Sequence, residues 1–247
     1  MIQFGIVGYG IVGKATHLGL LEHAEVIRHD IVLNTSLIDL KECSYVFFCT
    51  PTDDDNHINL LITEIKNLKQ INPNCKIIIR STVPLGTCER IEELLGEKIL
   101  YIPEFLRQRV WETDCTKQPF IVGHNQDTLP SWLLEKNIIQ CTLKEAEILK
   151  MFNNNFGATR VVFANHFYEI SKCVGSDYNK ILEMYSLISH DQTYLKVDEN
   201  LRGFGGKCLP KDLDFVIDTL KQLNLDQTYF TSIKEDNAKW KTTVRKS

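Results

Sequence analysis

The stretch Gly203-Phe204-Gly205-Gly206-Lys207-Cys208-Leu209-Pro210-Lys211-Asp212 speaks most directly of chemistry. Three glycines within four residues let a backbone wrap closely around a ligand. Cys208 follows, with Lys207 and Lys211 on either side and Asp212 placed to cap a following helix. Cationic neighbours and a helix start stabilise a thiolate, and the thiolate is the nucleophilic form. A lone cysteine is usually a packing residue, but this setting favours a nucleophile.

Lys150 and Asn154 stand at i and i+4 in a stretch of helical spacing, so they share one face. A lysine and an asparagine on one face could both address a developing alkoxide. Asn153, at i+3, is also within reach of that face, and spacing does not choose between the two asparagines. A solvated polar face is the plain alternative.

A second set of residues lies at the start of the chain. Gly8-Tyr9-Gly10-Ile11-Val12-Gly13 is a GxGxxG that follows an apolar strand pattern and opens a helix pattern, the context a dinucleotide-binding turn requires. Gly8 permits the tight turn, Gly10 lets the backbone approach a pyrophosphate, and Gly13 lets helix and strand pack closely. The helix N-terminus then presents N–H groups to that pyrophosphate. Asp30 ends the second strand, 17 residues after Gly13. A carboxylate there accepts from ribose hydroxyls and repels the extra phosphate of NADP, so NAD is the expected cofactor, with Arg28 and His29 close by in sequence.

Three further loops follow strand patterns: Cys49-Thr50-Pro51-Thr52, Ser81-Thr82-Val83-Pro84-Leu85-Gly86 and Pro103-Glu104-Phe105-Leu106. Ligands bind at the carboxyl ends of the strands in a doubly wound sheet, and these hydroxyls and Glu104 would stand there. Turn chemistry explains any one Thr-Pro, but less readily three in succession.

The elements that would carry these groups follow from the apolar pattern. Strands are expected at Gln3–Val7, Glu25–His29, Tyr45–Cys49, Lys76–Arg80, Ile99–Ile102, Phe120–Gly123 and Ile138–Cys141, alternating with helices at Val12–Leu21, Leu60–Gln70 and Thr87–Leu95. From about Lys144 to Cys173 the pattern is helical, with Gly157 a weak point costing about 1 kcal/mol. Helices follow near Tyr178–Ile188, Asp212–Leu223 and Gln227–Lys239. The expected fold is α/β: a Rossmann-like, doubly wound, mainly parallel sheet over residues 1–142, then a mostly helical dimerisation domain over 143–247 that carries the cysteine loop.

Composition narrows the function classes. The 247 residues carry a net charge of −4, so no global basic field invites nucleic acid or an anionic membrane. The basic tail Lys239, Lys241, Arg245, Lys246 is short and interrupted by Trp240, and reads as a solvated end. No apolar run approaches the ~20 residues of a membrane span, and the first residues lack a signal-peptide pattern. The eight cysteines show no CxxC and no paired His spacing, which excludes a zinc framework and fits reduced thiols in the cytoplasm. Seven of them are expected to be packing residues, with Cys208 the exception.

Taken together, the motifs resemble those of the UDP-glucose/GDP-mannose dehydrogenase family. The match runs in order through GYGIVG, CTPT, RSTVPLGT, IPEFL, AEILKMFNNNFGATR and GFGGKCLPKD, over essentially the whole chain. The resemblance implies that Cys208 captures a sugar aldehyde and that Lys150 stabilises alkoxide and oxyanion with Asn154 beside it. It thereby chooses Asn154 over Asn153. It also implies that Asp212 helps handle water, that Glu104 is the general base or thioester-hydrolysis residue, and that Thr82 orders water and touches the cofactor. The cofactor would meet Gly8, Tyr9, Gly10, Ile11, Val12, Gly13, Asp30, Thr50, Pro51 and Thr82. A nucleotide sugar would meet Glu104, Phe105, Leu106, Lys150, Asn154, Phe204 and Gly205. Two successive oxidations by NAD, through a cysteine-bound thiohemiacetal and thioester, would give a uronate. No metal is implied.

Departures from the family pattern accompany the match. Family members continue into a third domain that helps bind the substrate nucleotide, and this chain stops soon after the helical region. Only 14 residues, 31–44, separate Asp30 from the third strand, where the family has a longer insertion. Gln108 and Arg109 replace the acid and glycine that usually follow Glu-Phe-Leu. Asp191-Gln192-Thr193-Tyr194-Leu195 lacks the arginine that holds substrate across the family's dimer, with Arg202 a candidate substitute. The catalytic set is thus complete while the substrate-recognition set is thinned, which fits a differently anchored substrate, a partner chain supplying the missing domain, or a non-catalytic NAD-binding relic. A two-electron hydroxyacid dehydrogenase of the 6-phosphogluconate dehydrogenase-like group is the other enzyme reading, and GFGGKCLPKD argues against it. A homodimer is expected from the apolar surface of the long helix, with Val161, Val162, Phe163, Phe167 and Ile170 the candidate contacts.

Overall fold

Runs of β-branched and aromatic residues form the strands of the first half of the chain. The computed structural model describes residues 2–107, 110–189 and 191–241. Gln108 and Arg109, and Arg245 and Lys246 of the basic tail, lie outside the described residues. β1 (Phe4–Val7) leads into α1 (Ile11–Leu20) and β2 (Val26–His29), and two 3-10 turns (Ile31–Leu33 and Leu37–Leu40) carry the chain to β3 (Tyr45–Phe48). Then come α2 (Asp55–Ile71), β4 (Lys76–Ile79), α3 (Thr87–Leu95), β5 (Leu100–Tyr101), α4 (Trp111–Lys117), β6 (Phe120–His124), α5 (Ser131–Leu134) and β7 (Ile138–Cys141). The remainder is helical: α6 (Leu143–Cys173), α7 (Tyr178–Ser186), α8 (Cys208–Gln222) and α9 (Thr228–Ala238).

The strands form one seven-stranded sheet in the order β2-β1-β3-β4-β5-β6-β7. Every pairing is parallel except β5 with β6. The chain leaves β1 toward one edge to make β2 and then returns to the other side of β1 to make β3. The carboxyl ends of β1 and β3 therefore flank the topological switch point, where ligands of this fold class bind.

Side chains that alternate along each strand fill two cores, one on each face of the sheet. Val46, Phe48, Ile77, Ile79 and Tyr101 join α2 and α3 on one face, with Leu143 and Ala146 from the start of α6. Phe4, Ile6, Phe47, Ile78 and Leu100 lie on the other, against Leu20, Leu21 and Leu133. Burying each such side chain is worth roughly 1.5–3 kcal/mol, which is why these runs are strands buried on both faces.

The differences from expectation have local causes. α2 begins at Asp55 rather than Leu60, because its first turn is polar and is capped by Asp54, which accepts from the His57 amide at 2.9 Å. α4 and α5 were not expected. They span 7 and 4 residues, too short to show helical periodicity. α8 begins at Cys208, so Asp212 does not cap it but lies within its second turn. Pro210 permits this, because the first turn of a helix has N–H groups without intrahelical partners.

The chain divides into two compact units, Met1–Lys150 and Met151–Ser247, so the division falls inside α6 rather than ahead of it. In the second unit, Ala158, Val161 and Val162 of α6 pack on Leu209, Leu213 and Ile217 of α8 and Ile233 of α9. Val161 and Val162 are thus core residues, while Phe163, Phe167 and Ile170 are exposed, as are Phe152 and Phe156. Gly157 has a packing reason to interrupt good helix formers, since a Cβ there would stand 2.9 Å from the Tyr194 ring. No helix among the described residues is long and apolar enough to cross a membrane.

Candidate active site

At the carboxyl end of β1, Gly8 has φ +85° and an added Cβ would meet the Cys49 carbonyl at 2.8 Å, so the turn there accepts only glycine. A Cβ on Gly13 would collide with the Gly8 carbonyl oxygen, which fixes α1 tightly against the turn. A Cβ on Gly10 would meet nothing within 4 Å. Ile11 and Val12 open α1, whose first turn carries no acidic residue and no side-chain cap.

Asp30 belongs to the same cluster. Its Oδ2 accepts the Tyr9 amide at 2.6 Å and its Oδ1 accepts the Val32 amide at 2.9 Å. Of two neighbours here, Arg28 was noted in the sequence and His17 was not. The Tyr9 hydroxyl lies 2.6 Å from His17 Nδ1, and the Arg28 guanidinium stacks 5.1 Å from the Tyr9 ring centre. Burial first, and then the Arg28 charge, hold the His17 pKa below its ordinary value.

The three loops that follow β3, β4 and β5 are tied to one another. Thr52 Oγ1 donates to the Thr82 carbonyl at 2.5 Å, and Ser81 Oγ to the Thr50 carbonyl at 2.6 Å. The Thr50 hydroxyl oxygen is buried and has no hydrogen-bond partner among the described residues, and Pro51 beside it is exposed. Cys49 is no nucleophile here, because burial pushes its thiol up to about 11. Arg80 is fully buried and was not singled out from sequence. Its Nε donates to Thr16 Oγ1 at 3.0 Å, and one terminal nitrogen donates to the Ile102 carbonyl at 2.7 Å and the Pro103 carbonyl at 3.3 Å.

Those carbonyls lead directly to Glu104. Lys150, 3% exposed, donates to the Glu104 carbonyl at 2.5 Å and to its Oε1 at 3.0 Å. It also lies 5.3 Å from the Phe105 ring centre, and the Leu106 amide donates to Glu104 Oε2 at 2.7 Å. Burial raises the Glu104 pKa, but the Lys150 charge, the Leu106 amide and Arg80 outweigh it, so the carboxyl titrates below its usual range. One turn earlier on α6, Glu147 is fully buried and accepts the Gly86 and Cys88 amides at 2.7 and 2.9 Å. Burial leads the causes that raise its pKa. One face of α6 therefore holds both the start of α3, after the Thr82 loop, and the Glu104 loop. Arg107 makes a bidentate pair with Asp114 of α4.

In the second unit, Asp212 is 1% exposed. Its Oδ2 accepts from Asn154 Nδ2, and its backbone carbonyl accepts from Asn155 Nδ2 at 3.0 Å. Its Oδ1 lies 3.5 Å from Lys211 Nζ. Asn153 instead donates to Asn154 Oδ1 at 3.0 Å and is exposed. Cys208 is the exposed first residue of α8, one turn before Asp212 on the same helix. Cys173 is also exposed, unlike a packing residue. The ring of Phe204 is in the core and its amide and carbonyl are bonded to Asn237, so of the two it is the half-buried Gly205 that this loop can offer a substrate. Arg202 is engaged within its own unit by Asn165, at 2.7 Å, and Glu169. Among the described residues no group of three His, Cys, Asp or Glu could hold a metal.

A UDP-glucose 6-dehydrogenase of Streptococcus pneumoniae is 29% identical over 195 residues, covering 70% of this chain and 49% of that protein. One from Campylobacter jejuni is 30% identical over 185 residues, covering 68% and 46%. The chain thus spans about half the length of the curated relatives it matches. A UDP-glucose dehydrogenase structure from Pyrobaculum islandicum shares the fold at TM-score 0.81 and 19% identity, covering 97% of this chain and 68% of that one. A 3-hydroxyisobutyrate dehydrogenase structure from Salmonella typhimurium gives TM-score 0.65 at 13% identity, covering 97% and 94%, a likeness of fold alone. Residues 144–239 match the model of the central domain of the UDP-glucose/GDP-mannose dehydrogenase family.

Proposed function

We propose that the chain is an NAD-dependent nucleotide-sugar 6-dehydrogenase, acting on a UDP-glucose-like substrate through Cys208. The observation that carries the reading is the pairing of Cys208 with Asp212, one turn apart on α8, the latter buried and bonded to Asn154. A nucleophile one turn from an oriented carboxylate suits a reaction that forms a cysteine adduct and then admits water.

The residues at the switch point fit a dinucleotide. The Gly10 position leaves space where a side chain would stand, the buried Thr50 hydroxyl lacks a partner among the described residues, and α1 presents an uncapped first turn. Gly8 to Gly13, Asp30, Thr50, Pro51 and Thr82 would hold NAD, which when bound accepts the electrons of both oxidations.

Each residue then has one task. Glu104, held as an anion by Lys150, accepts a proton as the 6-hydroxyl becomes an aldehyde. Lys150 and Asn154 donate toward the sugar oxygen as it gains charge. The Cys208 sulfur adds to the aldehyde carbon to give a thiohemiacetal, whose oxidation leaves a thioester. Asp212 orients a water whose oxygen replaces the sulfur, releasing a carboxylate and restoring the thiol. Overall, one alcohol, one water and two NAD+ give one uronate, two NADH and three protons. A two-electron hydroxyacid oxidation would leave Cys208 without a task. Mass spectrometry of Asp212→Asn protein quenched with UDP-glucose and NAD tests the scheme. A sugar adduct on Cys208 supports it, and turnover without any adduct, unaffected by Cys208→Ser, contradicts it.

We further propose that a second copy of the chain packs on the exposed face of α6 bearing Phe152, Phe156, Phe163, Phe167 and Ile170, a stripe too apolar to favour water.

A further inference from the structure

A glycine-rich backbone loses more conformational entropy on ordering than any other, so the run Gly203 to Gly206 needs an anchor if it is to present Cys208 in one place. The anchor is on α9. Asn237, 8% exposed, accepts the Phe204 amide on Oδ1 at 2.7 Å and donates from Nδ2 to the Phe204 carbonyl at 2.9 Å. One carboxamide thus supplies both partners that a neighbouring strand would give to that residue. Asn237 stands one turn after Ile233, which is 4% exposed, so α9 turns the carboxamide inward on its core face.

The chain is fixed again at Leu209, whose side chain packs in the same core as Phe204. Only Gly205, Gly206 (φ +80°), Lys207 and Cys208 lie between the two anchors. Lys207, the N-cap residue of α8, makes no side-chain cap hydrogen bond, and the span leaves the core at Phe204. Without Asn237 the Phe204 amide and carbonyl, both buried, would lose these partners, and the loop would escape the core to find water.

We infer that Asn237 is a positioning residue for the cysteine loop, clamping Phe204 and thereby fixing the glycine run that leads to Cys208. The inference rests on Cys208 being the nucleophile, and its test is chosen to stand apart from turnover.

Asn237→Asp keeps the shape and the acceptor but removes the donor to the Phe204 carbonyl. Tyr178→Phe is the control. It removes another side-chain bond to a buried backbone group, from the Tyr178 hydroxyl to the Leu195 carbonyl at 2.8 Å, in a separate core cluster. Two readouts need no catalysis: hydrogen exchange over residues 203–207, and the iodoacetamide rate at Cys208 followed by peptide mass spectrometry. In Asn237→Asp, exchange should quicken roughly tenfold and the Cys208 rate should shift about threefold or more, while Tyr178→Phe holds both within about twofold. Where the protein turns over, Asn237→Asp should lower kcat about tenfold with little change in KM for NAD. Equal exchange and equal Cys208 rates in the two variants would overturn the inference. If Asn237→Asp does not fold, the Phe204 amide of the unchanged protein decides. Protection of roughly a hundredfold supports the clamp, and exchange at the rate of an unstructured chain overturns it. Failure of the functional reading looks different: no turnover by the unchanged protein, with the loop still loosened by Asn237→Asp.

Discussion

The Tyr9 amide donates to the Asp30 carboxylate at 2.6 Å, so the glycine turn after β1 and the acid after β2 are one structure. Asp30 thereby shapes the turn as well as offering a carboxylate to a ribose. Asp30→Ala removes both contributions. A hydrogen bond to a charged group is worth about 1.5–3 kcal/mol, so NAD affinity should fall roughly ten- to hundredfold. Calorimetric titration measures this, and unchanged affinity would take Asp30 out of the cofactor site.

Gly10 and Gly13 should separate binding from stability. At Gly10 an added Cβ meets nothing within 4 Å, whereas at Gly13 it strikes the Gly8 carbonyl. Gly10→Ala should keep its stability within about 1 kcal/mol of the unchanged protein while weakening NAD binding about tenfold or more, because the methyl group occupies the approach of the pyrophosphate. Gly13→Ala should lose about 1–3 kcal/mol of stability from overpacking. Urea unfolding and NAD titration of both variants check the pair. Equal loss of binding and stability at the two positions would contradict it.

Lys150→Met leaves Glu104 buried beside Arg80. Removing one partner of a buried pair costs about 3–5 kcal/mol. The sign of the pH dependence should also change. With Lys150 present, the folded pKa of Glu104 is below its ordinary value of 4.5, so the stabilisation is complete above that value and is lost as pH falls through the folded pKa. Without Lys150, burial, the largest cause, is opposed by the Leu106 amide and Arg80, and the expected outcome is a folded pKa above the ordinary value. The variant then loses stability as pH rises through that higher pKa. The stability gap should widen from pH ~4.5 to pH ~7 in urea unfolding, and a gap independent of pH would show that Glu104 is not the coupled group.

Phe163 and Phe167 are exposed on α6 with ring centres 4.6 Å apart, whereas Val161 is fully buried. Phe163→Glu should convert a dimer to a monomer in sedimentation velocity and leave the unfolding midpoint of the monomer near its starting point. Val161→Ala should do the reverse, costing about 0.5–3 kcal/mol of stability without changing the oligomeric state. A monomeric unchanged protein would contradict the proposed interface.

Much of the fold was legible in the sequence because its signals are local. Strands buried on both faces show as Tyr45–Phe48 or Lys76–Ile79, and the Gly8 turn announces itself by spacing. What could not be read were contacts between distant segments. Arg80 looked like the end of a strand, yet it reaches the carbonyls before Glu104. Glu147 and Asn237 looked like ordinary polar residues of helices, yet each is buried and bonded to backbone amides of another segment. Asp212 lies inside α8 rather than at its cap, since the helix starts at Cys208 and Pro210 is tolerated in its first turn. Val161 and Val162 were assigned to a surface because periodicity shows that a helix has apolar sides, but not which side meets α8.

The central claim is tested most directly by counting NADH. Purified protein is given limiting UDP-glucose and excess NAD, and absorbance is followed to completion beside Cys208→Ser. The account predicts two NADH for each sugar consumed, with that overall oxidation lost in the serine variant. One NADH per sugar, unaffected by Cys208→Ser, would contradict it.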